Sequence, residues 1–239
     1  SNPTRYPDWR RQGWVNLSSA LAQSSNVYFY TVGGGFGNIT GLGISRLYKW
    51  WQKFGLGKPT GIDMPFEAEG FLPTAEYKKE KEGRPWLLGD TYNVSIGQGN
   101  LLVTPIQLLN YVAAVGNGGK ILRPFLNAEK SPEKIADLSD LAPYLDEVQK
   151  GMVGAVELPL GTAHLLSSLS FSVAAKTGSA QVQNNTQENA FFVGYAPAGE
   201  RPPQIAVLVL VENALGGSLN AVPIAKDALD WYYMNRIKK

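Results

Sequence analysis

The chain has 239 residues, 44% apolar and 18% charged, with a net charge of +2; that is enough to bury a real core in one large domain or two small ones. There is no cysteine and one histidine, His164, which excludes disulfides, thiolate metal sites and His-rich clusters and leaves any acyl-transfer chemistry to a lysine or carboxylate base. The weak charge gives no basis for a nucleic-acid partner, no apolar run is long enough to span a membrane, and the polar, aromatic start "SNPTRYPDWRRQGW" has neither signal peptide nor initiating methionine, as expected of a piece excised from something longer.

In chain order, residues 15–33 predict a helix from about Leu17 that closes near Ser24 to Asn26, then a second through Tyr28 and Tyr30. "GGGFGN" (33–38) reads as a loop, without the lysine or preceding strand of a phosphate cradle. Ile44, Leu47, Trp50, Trp51 and Phe54 recur at three- and four-residue spacing, which predicts an amphipathic helix over 43–57 with Gly55 as its stop; on such a helix the tryptophans belong to the core rather than to a sugar-stacking surface. Residues 57–90, rich in Gly, Pro and charge, read as a long loop region. Thr104 as cap, Pro105 in the first turn and closing glycines predict a helix over 104–119. Residues 120–142 read as a polar connection, and 143–157 as a helix with Leu145, Val148, Met152 and Val153 inward.

After Ser167 the period changes. "FSVAAKTGSAQV" (171–182), "NAFFVGYAP" (189–197) and "QIAVLVLVENA" (204–214) are three strand-like runs. The first is small and polar, as an edge strand is; the last is apolar on both faces and predicts an inner strand. The chain closes with a helix carrying Ile224, Ala228, Leu229, Tyr232 and Met234 largely on one side. The result is an α+β arrangement, with a helical lobe over about 15–157 and strands plus terminal helix over about 168–237.

Two triplets stand out. Ser24-Ser25-Asn26 falls at a break between helices, where a serine and an asparagine often only cap the next helix. Lys176-Thr177-Gly178 lies on the small, polar strand, where a lysine serves to discourage edge pairing. On a strand, however, Lys176 and Gly178 share one face and Thr177 and Ser179 the other. Gly178 removes a side chain where a second backbone could approach. Such an edge accepts an extended peptide as an added strand, and an ammonium with two hydroxyls can hold its carboxylate.

The order S-x-x-K, S-D-N, K-T-G is the signature of serine β-lactamases and penicillin-binding proteins. "ALAQSSNVYFY", "YNVSIGQGNLLVTPIQLLNYVAAVGNGG" and "AAKTGSAQVQ" followed by "NAFFVGYAP" resemble the transpeptidase domain of class B penicillin-binding proteins. "GIDMPFEAEGFLP" and "GDTYNVSIGQG" bring it nearest the elongation-type penicillin-binding protein 2. The resemblance covers about residues 14–235, with Ala175 and Ser179 where that family more often has Gly and Thr. It implies a penicillin-binding/serine β-lactamase-like transpeptidase fold, a helical lobe plus an antiparallel sheet flanked by helices, truncated at the N-terminus. It also implies peptidoglycan D,D-transpeptidation by serine acyl transfer in a longer parent, without cofactor or metal. By resemblance Ser24 relays a proton to the leaving group and Asn26 orients the substrate amide. Lys176 supplies positive potential and tunes the relay, while Thr177, Gly178 and Ser179 bind the substrate, the two hydroxyls taking the carboxylate and the Ser179 N–H serving as an oxyanion donor.

The nucleophile motif of that family precedes S-x-N. The only S-x-x-K match here is Ser131-Pro132-Glu133-Lys134, which follows it in a polar connector and reads as a capped turn. The chain alone is therefore expected to be inactive, and to form dimers or bind a second fragment in trans. The partners implied are peptidoglycan stem peptides, β-lactams as inhibitors and a rod-complex glycosyltransferase for the parent. The location implied is the periplasm or the extracytoplasmic face of the bacterial inner membrane, with an anchor in an N-terminal segment outside this chain. Two other classes fit the motifs: a β-lactam sensor or inactive scaffold, and a serine β-lactamase. The last needs a glutamate of the E-x-x-L-N kind, which "QLLN" at 107–110 lacks.

Overall fold

The computed structural model describes residues 5–182, 186–199, 202–214 and 220–238. Asn16 accepts from Ser19 N to start α1 (Leu17–Gln23), and Ser24 ends it in the left-handed region, φ 56°. Ser25 then caps α2 (Asn26–Gly34) by accepting from Tyr28 N. The break falls where the sequence places it, but α2 runs on into the expected glycine loop. Its last turn is glycine because the helix α5 (Leu88–Ser95) lies directly on it: a Cβ at Gly33 would strike Ser95, and one at Gly34 would strike Tyr92.

α3 (Gly43–Lys53) packs against α2 and α5 but buries no residue, and Trp50 is exposed under the Lys53 ammonium instead of lying in the core. The expected loop region at 57–90 holds α4 (Ala75–Glu82) and the start of α5 (Leu88–Ser95). α4, "AEYKKEKE", has no apolar period to betray it; it is held by the Thr74 cap and by a 2.5 Å ion pair from buried Lys78 to Asp90. α6 (Pro105–Gly116), capped by Thr104, is as expected. The polar connection after it contains an antiparallel hairpin, β1 (Lys120–Leu122) and β2 (Lys134–Asp137), in which only Ile121 is buried.

α7 (Ala142–Glu157) leads to an antiparallel sheet of β3 (Ala174–Val182), β4 (Gln187–Ala196) and β5 (Ile205–Val211), in the order β3-β4-β5. β3 is an edge, as expected. Among the described residues the inner strand, though, is β4, and β5 is the opposite edge rather than an inner strand. β5 is apolar on both faces because helices cover both. Ile205, Val207, Val209 and Val211 face the core that contains α8 (Ala221–Tyr232), and Ala206 and Leu208 face the core that contains α6 and α7. α8 buries Ala221, Val222, Ala225 and Leu229, while Ile224 and Met234 turn half outward; small alanines let this helix approach the sheet closely.

α7 joins the two lobes. On one side it packs on β3; on the other it carries α1, which comes so close that a Cβ at Gly151 would lie 2.7 Å from Leu21 Cβ. This contact suspends the C-terminal end of α1 over the edge strand.

Candidate active site

Along β3 the side chains alternate. Lys176 continues the face of Ala174, toward α6 and α7, and Thr177 continues the face of Ala175, toward α8. At the end of α1, Ser24 meets the lysine: Lys176 Nζ donates to Ser24 Oγ at 2.7 Å and to Thr177 O at 2.5 Å, across 152 residues of sequence in the first case. Burial pushes the Lys176 ammonium down to about 8. Ser24, Asn26, Lys176, Thr177, Gly178 and Ser179 all line one cleft of about 750 Å³.

The Ser24-Ser25-Asn26 triplet divides its labour. Ser25, which is buried, is the helix cap, accepting from Tyr28 N and donating to Asp8 Oδ2 at 2.7 Å. Ser24 and Asn26 are left to face the cleft. Capping and cleft-lining thus both hold, on different residues.

On the strand, Thr177 is buried and its hydroxyl donates to Thr162 Oγ1 at 2.7 Å, whereas Ser179 is exposed. The Ser179 carbonyl accepts from Gln98 Nε2 at 2.9 Å. In an antiparallel strand the N–H and C=O of one residue point the same way. Because the Thr177 and Ser179 carbonyls are taken from outside the sheet, their N–H groups face the open edge too. A Cβ at Gly178 would meet only Phe191 Cβ, at an ordinary 3.5 Å. Nothing within the described residues requires glycine there.

Sequence reasoning missed Asp8, Trp9, Gln98 and Thr162, each of which holds or walls the cleft from a distant segment. It also missed Tyr30, a cleft residue one helical turn after Asn26, whose hydroxyl is pushed up by burial and by the Asp8 charge; that spacing was a usable signal. Other candidates fall away from the cleft. His164 is exposed, with Nδ1 2.9 Å from Val156 O. Ser131 is exposed ahead of β2 and does not line the cleft. Gln107, the first residue of "QLLN", is buried and donates to the Lys58 and Glu69 carbonyls, a latch rather than a base.

A helical lobe set on a helix-flanked antiparallel sheet, with the cleft along the sheet's edge, defines a two-lobed transpeptidase fold. The chain belongs to the penicillin binding protein transpeptidase domain family, which residues 1–230 match. It is 32% identical over 260 residues to the peptidoglycan D,D-transpeptidase MrdA of Haemophilus influenzae, covering 98% of this chain and 39% of that protein. It is 32% identical over 240 residues to MrdA of Escherichia coli K12, covering 89% and 37%. Among solved structures it resembles penicillin-binding protein 2 of Helicobacter pylori (TM-score 0.83, 30% identity, 97% of this chain and 43% of that one). It likewise resembles Pseudomonas aeruginosa PBP2 solved with WCK 5153 (TM-score 0.82, 33% identity, 100% and 54%). The chain spans about two fifths of the length of the curated relatives it matches.

Proposed function

We propose that this chain supplies two of the three catalytic motifs of a peptidoglycan D,D-transpeptidase that works by serine acyl transfer. The observation that carries the reading is the 2.7 Å bond from Lys176 Nζ to Ser24 Oγ, which joins the S-x-N and K-T-G triplets across the two lobes. In the reaction, a serine hydroxyl adds to the carbonyl between two D-alanines, the terminal D-alanine leaves with a proton, and an amine of a second stem peptide displaces the serine. Ser24, bonded to the lysine, carries the proton to the leaving amine, and Asn26 holds the substrate amide. The stem peptide lies along β3 as an added strand. Its carboxylate meets the Ser179 hydroxyl, and the Thr177 hydroxyl once that group turns its proton from Thr162 to the ligand, under the field of Lys176. The Ser179 N–H stabilises the oxyanion, a contribution on the order of 3 kcal/mol per donor in acyl transfer.

The nucleophile is not among these 239 residues: Ser131, the sole S-x-x-K serine, is outside the cleft. The chain alone is therefore inactive and forms no acyl-enzyme. In the longer protein, β-lactams act as inhibitors and the site works on the outer face of the bacterial inner membrane. Among the described residues no helix is long and apolar enough to cross a membrane. A rod-complex glycosyltransferase is the partner we propose. Among the structural relatives, H. pylori PBP2 has been solved with MreC, and another relative in a peptidoglycan synthase complex.

Intact-mass spectrometry after incubation with a fluorescent penicillin tests the missing nucleophile. No adduct is expected, and a stoichiometric adduct mapped to Ser131 or Ser24 would refute it. In the same samples, NMR with a peptide ending in D-Ala-D-Ala should move the amides of Thr177 to Gln181.

A further inference from the structure

Residues 5–12 form no helix or strand, yet one side chain in them organises the cleft. Asp8 accepts five hydrogen bonds. Oδ1 takes Trp9 N (2.9 Å), Gln12 Nε2 (3.1 Å) and Asn26 N (3.1 Å); Oδ2 takes Ser25 Oγ (2.7 Å) and Val27 N (3.3 Å). The first N–H groups of a helix have no partner within it, and its positive end favours an anion. At α2, Asp8 answers those of Asn26 and Val27, and Ser25 Oγ answers that of Tyr28. The neighbouring Trp9 reaches the other side of the turn, its indole N–H donating to Ser24 O at 3.0 Å. The dipeptide thus grips the turn before and after Ser25. The first grip holds Ser24 itself, at φ 56°, ψ 51°, a left-handed conformation that a residue with a Cβ disfavours and leaves when released.

We infer that Asp8 is a positioning residue: by fixing the Ser24–Asn26 turn it sets where Ser24 Oγ meets Lys176 Nζ. This rests on the proposed transpeptidase reading only for its meaning in catalysis; the geometry stands apart from it. Release of the turn would let water reach the lysine, whose lowered pKa has burial as its cause.

The test is NMR titration of Lys176 in the ¹³C-lysine-labelled chain, for wild type, Asp8→Asn and Asp8→Ala. The other titratable side chains lining the cleft are Tyr30 and Glu188; Tyr30 loses the upward push of the Asp8 charge in both variants alike. Asp8→Asn keeps one of the two acceptor oxygens and turns an amide NH2 toward the donors of the other, so its midpoint should rise above the wild-type value of about 8. Asp8→Ala loses the acceptors, and its midpoint should rise toward the ordinary lysine value of 10.5. A folded Asp8→Ala chain with an unmoved midpoint overturns the inference. Should Asp8→Ala fail to fold, Asp8→Asn decides: a raised midpoint supports the inference and an unmoved one overturns it. Failure of the wild-type chain to bind a D-Ala-D-Ala peptide would count against the transpeptidase reading and leave the titration result standing.

Discussion

Lys176 gives up hydration to sit against Ser24 Oγ and Thr177 O, and its pKa falls to about 8 against 10.5 for an ordinary lysine. Between those values the unfolded chain holds a proton that the folded chain has released, so this group makes stability rise with pH from about 8 to 10.5. The favourable contribution is complete above the unfolded value and lost as pH falls through the folded one; below it the buried charge costs at most about 3 kcal/mol. Wild type should therefore gain thermal stability relative to Lys176→Met between pH 8 and 10.5, and parallel curves would contradict the buried charge. A carboxylate ligand works the other way, favouring the ammonium, so its binding should weaken over the same range. Ser24, Asn26 and Lys176 were legible in the sequence because they sit in short patterned triplets. Asp8, Thr162 and Gln98 were not: each acts alone, on a partner 18, 15 or 81 residues away, and no local pattern records such a pairing.

Elements showed themselves in the sequence where apolar spacing makes them. α6 and α7 and the three strands of the sheet have that spacing. α4 and the β1–β2 hairpin do not, being held by a cap, an ion pair and backbone bonds along a polar chain. β5 shows the limit of the method differently: an apolar run on both faces reports that both faces are covered, and is silent on whether the edges are paired. At this scale the close approach of α1 to α7 governs the site. Gly151→Ala places a methyl where Leu21 Cβ and Ser18 O already lie, at 2.7 and 3.0 Å, and neither can rotate away. The substitution should destabilise the chain by about 1–3 kcal/mol and push α1 off α7. Ser24 would then withdraw from Lys176, which amide shifts at Ser24–Asn26 would report. A Gly151→Ala chain with wild-type stability and shifts would show that α7 does not set the height of α1.

Across the whole molecule, the order β3-β4-β5 leaves β5 paired on one side only among the described residues. An apolar strand with an open edge is a template for another strand. The chain should associate as its concentration rises, with β5 amides exchanging more slowly as it does. A light-scattering mass that stays at that of one chain, with unchanged exchange at 205–211, would contradict this. The Ser24–Lys176 bond has a different consequence at the same scale. Its two ends belong to separate lobes, 152 positions apart in sequence, so the cleft is a clasp made by both lobes together. A peptide seated along Thr177–Ser179 and touching Asn26 would fasten that clasp from within. Recognition of such a peptide would then depend on the two lobes jointly, a property that the edge strand, however well formed, does not possess by itself.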